Sequence, residues 1–274
     1  MILVTGATGN VGRHVVDGLV AAGSDVRALT RTPARARLPD GVDAVRGDLL
    51  EPGSLDLDGV DRVFLVWPGP SAAGIAAAVD AITKQARRVV YLSAMSAENG
   101  FWGEVEDAIE RSGVDWTFLR PGGFATNTLG WAESIRTYGE VRWPYGEAAR
   151  SLIHERDIAD VAVQALTEDG HVGRRYVLTG PAAVTQAEQA RLIGEAIGRD
   201  LRWVELPPEI ARQQLLEAWG DEAFVDRALS YWASLIGNPE PVTDSVRRVT
   251  GHPARSFARW ARDHAEDFAA GGGS

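Results

Sequence analysis

Three glycines at three-residue intervals, Gly6, Gly9 and Gly12, open the chain within the run Thr5-Gly-Ala-Thr-Gly-Asn-Val-Gly12. Glycine lacks a Cβ, so this spacing permits a tight turn, close approach of the backbone to a pyrophosphate, and close packing of a helix on a strand. Both flanks fit that reading. Ile2, Leu3 and Val4 form an apolar run before the turn, and Val11, Val15, Val16, Leu19 and Val20 recur at helical spacing after it. The first N–H groups of such a helix would face phosphate oxygens.

A second group of residues bears on which nucleotide is held. The stretch Asp25–Thr30 reads as a strand ending at Arg31, with Arg35 and Arg37 close behind and no carboxylate at its tip. An acidic residue there would bond the ribose hydroxyls of NAD, whereas arginine suits the extra phosphate of NADP. NADP(H) is therefore expected over NAD(H), through Arg31 and Arg35. After a third strand, Gly47-Asp48-Leu49 offers an acceptor for the adenine amino group and an apolar contact for its ring; the other reading of Asp48 is a turn aspartate.

The elements that must position these residues follow from periodicity. Apolar runs at 62–66, 88–92 and 115–119 read as further strands, alternating with helices over roughly the first 120 residues. This is an α/β fold with a doubly wound parallel Rossmann sheet. The nucleotide domain is expected over residues 1–125, completed by a returning strand near 175–179. Residues 126–270 are expected to form mostly a smaller, largely helical substrate lobe, interleaved with it, with helices over 127–138, 156–166, 186–197, 208–219, 222–236 and 257–268. Residues 271–274 are expected to be a flexible tail.

Composition excludes several classes. The 274-residue chain has a net charge of −10, whose sign opposes non-specific nucleic-acid or anionic-membrane binding. It has no cysteine, hence no disulfide framework or thiolate metal site, and its five histidines lack metal-ligand spacing, so no metal is expected. No apolar run is long enough to span a bilayer. With a strand at the first residues no leader peptide is expected, and a cytoplasmic location follows. Monomer and homodimer both remain open.

The chain resembles the NmrA-like group of atypical short-chain dehydrogenase/reductases, which includes quinone-reductase-like and azoreductase-like proteins. The resemblance rests on Thr5–Gly12, Gly47-Asp48-Leu49, Tyr91-Leu-Ser93, Asp157-Ile-Ala159 and, most specifically, Ser112-Gly-Val-Asp-Trp-Thr-Phe-Leu-Arg-Pro-Gly-Gly-Phe-Ala-Thr-Asn127. It implies that Gly6, Thr8, Asn10 and Val11 hold a pyrophosphate, Asp48 and Leu49 the adenine, and Pro121, Gly122 and Phe124 the nicotinamide side. Ser93 would match the serine that hydrogen-bonds a substrate carbonyl in related enzymes; a turn role is the other reading.

The departure lies in the catalytic machinery. Ordinary members of the wider superfamily carry Tyr-x-x-x-Lys after the fifth strand, where the ammonium lowers the tyrosine pKa. Here that region reads Phe101-Trp-Gly-Glu-Val-Glu106, and Lys84, the only lysine, precedes the fifth strand. Two functions then compete. One is an oxidoreductase passing hydride to an aromatic, quinone-like or conjugated small molecule, whose product needs no strong acid. The other is a non-catalytic NADP(H) sensor acting through a protein partner. Trp67, Phe101, Trp102 and Phe124 at strand ends, with Trp143 and Tyr145 in the lobe, are the expected aromatic pocket favouring the first. Asn127 is a polar pocket residue or a helix cap. Trp131, Trp219 and Trp232 are expected in the core.

Overall fold

A computed structural model describes residues 1–269. In chain order, the first half forms β1 (Ile2–Val4), α1 (Gly12–Ala21), β2 (Val26–Thr30), β3 (Asp43–Arg46), β4 (Arg62–Leu65), α2 (Ile75–Thr83), β5 (Arg88–Leu92), α3 (Phe101–Arg111) and β6 (Asp115–Pro121). Then come α4 (Ala132–Tyr138), β7 (Glu140–Trp143), β8 (Ala149–Arg150), α5 (Glu155–Thr167), β9 (Arg174–Leu178), β10 (Val184–Thr185), α6 (Gln186–Ile197), β11 (Arg202–Glu205), α7 (Pro208–Trp219), α8 (Glu222–Ser234), α9 (Ser245–Thr250), α10 (Phe257–Asp263) and α11 (Ala265–Phe268). The tail expected at 271–274 lies outside the described residues.

The chain divides into two compact units. The first comprises Met1–Gly122, Glu155–Leu178 and Asp244–Pro253. Its sheet is seven-stranded and parallel throughout, in the order β3-β2-β1-β4-β5-β6-β9. The reversal of strand order on either side of β1 is where doubly wound folds bind ligands. β1 and β5 are almost wholly buried, as a sheet covered on both faces requires.

Within residues 126–270, α5, β9 and α9 belong to the first unit. The reason is the crossover rule, since a strand added parallel to β6 needs a helix to bring the chain back. Helix α5 buries Ile158, Val161, Ala162 and Ala165 and packs on α1, where a Cβ on Gly18 would stand 2.8 Å from the Val163 side chain. Arg62 and Arg88, at the amino ends of β4 and β5, donate to carbonyls at the carboxyl end of α5, Arg62 to Leu166 in its last turn and Arg88 to Glu168 just beyond it at 2.7 Å.

The second unit comprises Gly123–His154, Thr179–Thr243 and the chain from Ala254. It holds two small sheets, β7 parallel to β11 and β8 antiparallel to β10. One core cluster gathers Trp131, Ile135, Val141, Ile193, Phe257 and Trp260; another gathers Leu206, Leu215, Val225, Leu229 and Trp232. Trp131 and Trp232 are buried as expected, but Trp219 is 40% exposed, because it ends α7 and its ring leans at a tilt on exposed Phe224, centroids 5.2 Å apart. The helix expected over 127–138 is a 3-10 segment over Ala125–Trp131 followed by α4. Thr128 Oγ1 donates to the Ala125 carbonyl at 2.7 Å, a bond that competes with regular α geometry. The expected 257–268 helix is likewise divided into α10 and α11 at His264.

Candidate functional site

The glycine turn joins β1 to α1. Gly6 sits at φ +60°, a left-handed conformation that favours glycine, and a Cβ on Gly12 would lie 2.1 Å from the Gly6 carbonyl oxygen. Thr8, Gly9 and Asn10 are exposed, while Val11 and Gly12 are buried. Helix α1 has no side-chain cap and no acidic residue in its first turn; Arg13 and His14 donate their N–H groups to the Gly9 and Val11 carbonyls, so an anion would be met by the amides of the turn ahead of them. The residues present fit a dinucleotide phosphate. Thr5 braces the turn from below, its hydroxyl donating to the Phe64 carbonyl at 3.1 Å and accepting the Val66 N–H at 2.7 Å.

At the end of β2, Arg31 and Arg35 are exposed and, among the described residues, neither is in an ion pair. β3 ends alongside, with Arg46 in register with Thr30 and also exposed. Arg46 was not singled out from sequence; only the parallel pairing of β2 with β3 brings it to this end. The Asp48 carboxylate accepts the Leu50 N–H at 2.9 Å, a turn interaction, and Leu49 is buried in the first unit's core.

The ends of β5 and β6 carry a polar cluster. Ser93 is 4% exposed and its hydroxyl donates to Glu106 Oε1 at 2.5 Å. Glu106 is buried on α3, and Arg120 grips it with two N–H donors, Nε to Oε1 at 2.9 Å and Nη2 to Oε2 at 2.5 Å. The carboxylate pushes the Arg120 pKa up, chiefly through these hydrogen bonds. Arg175 on β9 stands 3.7 Å from Glu106 and lies over the Trp116 ring, 4.6 Å from its centroid. Tyr91, two residues before Ser93 on β5, is fully buried and its hydroxyl has no hydrogen-bond partner; burial and then the Glu106 charge push its pKa up. Glu98, Phe101, Glu104, Asp107 and Arg175 line a cleft of about 570 Å³ around this pair. Sequence placed Glu106 only in the region of the missing dyad; the fold makes it the centre of a buried network. Lys84 is on the surface, paired with Asp80 at 3.1 Å, and carries none of this chemistry.

The aromatic residues divide between the units. In the first, Trp67 is a core residue whose indole N–H donates to the Ser71 carbonyl at 2.7 Å, while Phe101 and Trp102 stack with centroids 4.5 Å apart at the start of α3. Pro121 is buried, its carbonyl accepting the Met95 N–H at 2.8 Å, and Gly122 donates to the Leu178 carbonyl. In the second, Phe124 bridges to Ile153, and Asn127 is exposed within the 3-10 segment rather than capping α4. Trp143 packs edge-on to Trp131 and against Trp232. Tyr145 holds φ +60°, unusual for a non-glycine residue, and the Glu205 carboxylate pins this turn by accepting the N–H groups of Tyr145, Gly146 and the Trp203 indole.

Two arrangements in these units have no signal in linear spacing. Arg150 lies against Gly123, where a Cβ would be 2.2 Å from its Nη2, and pairs at 3.5 Å with buried Glu240, which also accepts from Ser151 and the Tyr231 hydroxyl. Asp157, Asp160 and His252 converge so that one atom from each lies within 4.8 Å of the others, His252 pairing with Asp160 at 3.4 Å. Among the described residues no helix is long and apolar enough to cross a membrane.

Fold and site together define a dinucleotide-binding protein of the doubly wound class. A family model described as NAD(P)H-binding matches residues 6–169. The chain is 42% identical to the (4-alkanoyl-5-oxo-2,5-dihydrofuran-3-yl)methyl phosphate reductase of Streptomyces griseus, over 98% of this chain and 99% of that protein. It is 40% identical to an NAD(P)H azoreductase of Xenophilus azovorans, over 98% and 100%. The structure of the NADPH-dependent quinone oxidoreductase of Escherichia coli complexed with NADPH superposes with a TM-score of 0.81, at 23% identity, over 96% of this chain and 99% of that one. The chain belongs to the NAD(P)H-binding family, within the NmrA-like atypical short-chain dehydrogenase/reductases, and is an NAD(P)H-dependent oxidoreductase.

Proposed function

We propose that the protein reduces a flat, conjugated small molecule at the expense of NADPH, without a Tyr-x-x-x-Lys acid. The observation that carries this reading is the Ser93–Glu106–Arg120 network standing where that acid would be, beside an intact nucleotide turn. When bound, the reduced nicotinamide supplies the hydride. The glycine turn and the start of α1 hold the phosphates, and the strand ends from β4 to β6 orient the ring. Reduction of an aliphatic ketone builds a strongly basic alkoxide and benefits from a placed acid. A quinone-like acceptor instead yields a phenolate with a conjugate acid near ~10, which water can protonate. Tyr91 is no substitute acid, since burial and Glu106 both hold its proton on. The names of two relatives agree in kind: an azo bond and a dihydrofuranone both present a conjugated π-bond that accepts hydride at one end and a proton at the other.

The preference for NADP(H) over NAD(H) is part of the same proposal, supported by Arg31 and Arg35, exposed and without ion-pair partners among the described residues. Within the first unit, Phe101 and Trp102, stacked and half-buried at the start of α3, are the proposed substrate-facing pair. Stopped-flow loss of NADPH absorbance against a panel of quinones, azo dyes and conjugated ketones tests the function. Turnover with planar acceptors and none with aliphatic ketones is expected; tight NADPH binding without turnover of any acceptor would sink it.

A further inference from the structure

We infer that Ser93 is a hydrogen-bond acceptor toward the bound cofactor, gripping the carboxamide N–H₂ of the nicotinamide, because Glu106 takes the hydroxyl proton. The inference rests on the cofactor placement proposed above. A serine hydroxyl has one proton and two lone pairs, and a carboxylate has acceptors only. The 2.5 Å bond from Ser93 Oγ to Glu106 Oε1 therefore consumes the proton. Arg120 fixes the direction of that bond, since its two N–H donors engage both carboxylate oxygens and hold Glu106 in the plane it presents to Ser93. What remains on Ser93 is lone pairs. They match an N–H or O–H donor and are repelled by the carbonyl oxygen that a serine at this strand end is expected to bind.

Strand order selects the donor. The phosphates lie over β1, and the adenosine end is at β2 and β3, with Arg31 and Asp48. The nicotinamide must then extend the other way, over β4, β5 and β6. β5 is two strands from β1, roughly 10 Å across the sheet. Two neighbouring polar side chains are committed elsewhere, the Trp67 indole to Ser71 and Arg120 to Glu106, and Ser71 and Ser96 lie further out in the exposed loops after β4 and β5. Ser93, directly after β5, is a hydroxyl held with its lone pairs free of the Glu106 bond, and the carboxamide is the group on the nicotinamide that carries N–H donors.

Binding of NADP⁺ and of its 3-acetylpyridine analogue, which keeps the carbonyl but lacks the N–H₂, separates the alternatives through quenching of tryptophan fluorescence. The intact protein is expected to bind the analogue about tenfold more weakly, the loss when a buried acceptor is left unmatched. Ser93→Ala should weaken NADP⁺ binding about tenfold and bring the ratio close to one. Glu106→Gln, confirmed as folded by circular dichroism, should also lower the ratio, because an amide can turn an N–H toward the hydroxyl; a merely structural role would weaken both nucleotides alike. A ratio near one in the intact protein, or a tenfold ratio that survives Ser93→Ala, overturns the inference while leaving the cofactor reading intact. Failure to bind either nucleotide overturns both.

Discussion

Glu106 and Arg120 meet edge to edge, two N–H donors on two carboxylate oxygens, with side chains 4% and 14% exposed. Removing one partner strands the other charge, which for a buried pair costs about 3–5 kcal/mol. Glu106→Ala should therefore lower the unfolding free energy obtained from urea titration by that amount, and Glu106→Leu combined with Arg120→Leu should lie closer to the parent than either single change. A single-site loss under ~1 kcal/mol would show the pair to be effectively solvated.

Gly12 stands so close to the Gly6 carbonyl that an added methyl must open the turn, the 2.1 Å approach being to backbone that cannot rotate away. Gly12→Ala is expected to lose about 1–3 kcal/mol of stability and at least tenfold in NADPH affinity. Gly9→Ala, whose Cβ would sit 3.2 Å from the same oxygen, should cost much less of either. Thermal melts with and without nucleotide compare the two.

Arg31 carries the proposed NADP(H) preference. Arg31→Ala should weaken NADPH about 10- to 100-fold and leave NADH nearly unchanged, because only the former has a phosphate for a charge-assisted bond. Parallel titrations with both nucleotides measure this. Equal losses would place the phosphate elsewhere, and a residual NADPH preference abolished only in Arg31→Ala combined with Arg46→Ala would show that β3 shares the phosphate.

His171 lies below its ordinary pKa of 6.5, first because burial disfavours the charged ring; its Nδ1 is 2.9 Å from the Tyr176 hydroxyl. His14 is lowered for the same first reason, with Arg13 and Arg156 adding to it. The unfolded chain then binds protons before the folded one. The contribution of these rings to stability is full above about pH 6.5 and declines as pH falls through the lower folded values. Urea midpoints measured from pH 7.5 to 5 should fall at the acid end, and His171→Gln should flatten that fall. An unaltered slope would assign the acid sensitivity to other groups.

Some of the molecule is legible residue by residue. The bounds of α6 agree with the periodicity because both ends carry local signals: Thr185 accepts the Glu188 N–H at 3.2 Å, and Gly198 ends the helix at φ +67°. Pro208 and Gly220 do the same for α7. Where the ends lack such signals the reading slips, as at Ala125–Trp131, where Thr128 turns its hydroxyl on the chain's own backbone.

By itself, then, the sequence determined the features whose causes lie within a few residues: the glycine turn after β1, the strand and helix alternation, the arginine at the end of β2, and the missing tyrosine–lysine dyad. Their physics is covalent spacing and local hydrogen bonding. Only the tertiary structure decided that Glu106 rather than Glu104 turns inward, that it takes the Ser93 proton under the grip of Arg120, and that α5 and α9 belong to the first unit. Those pairings join residues on different strands and helices, and parallel register, which brings such ends together, is set by the packing of the whole sheet.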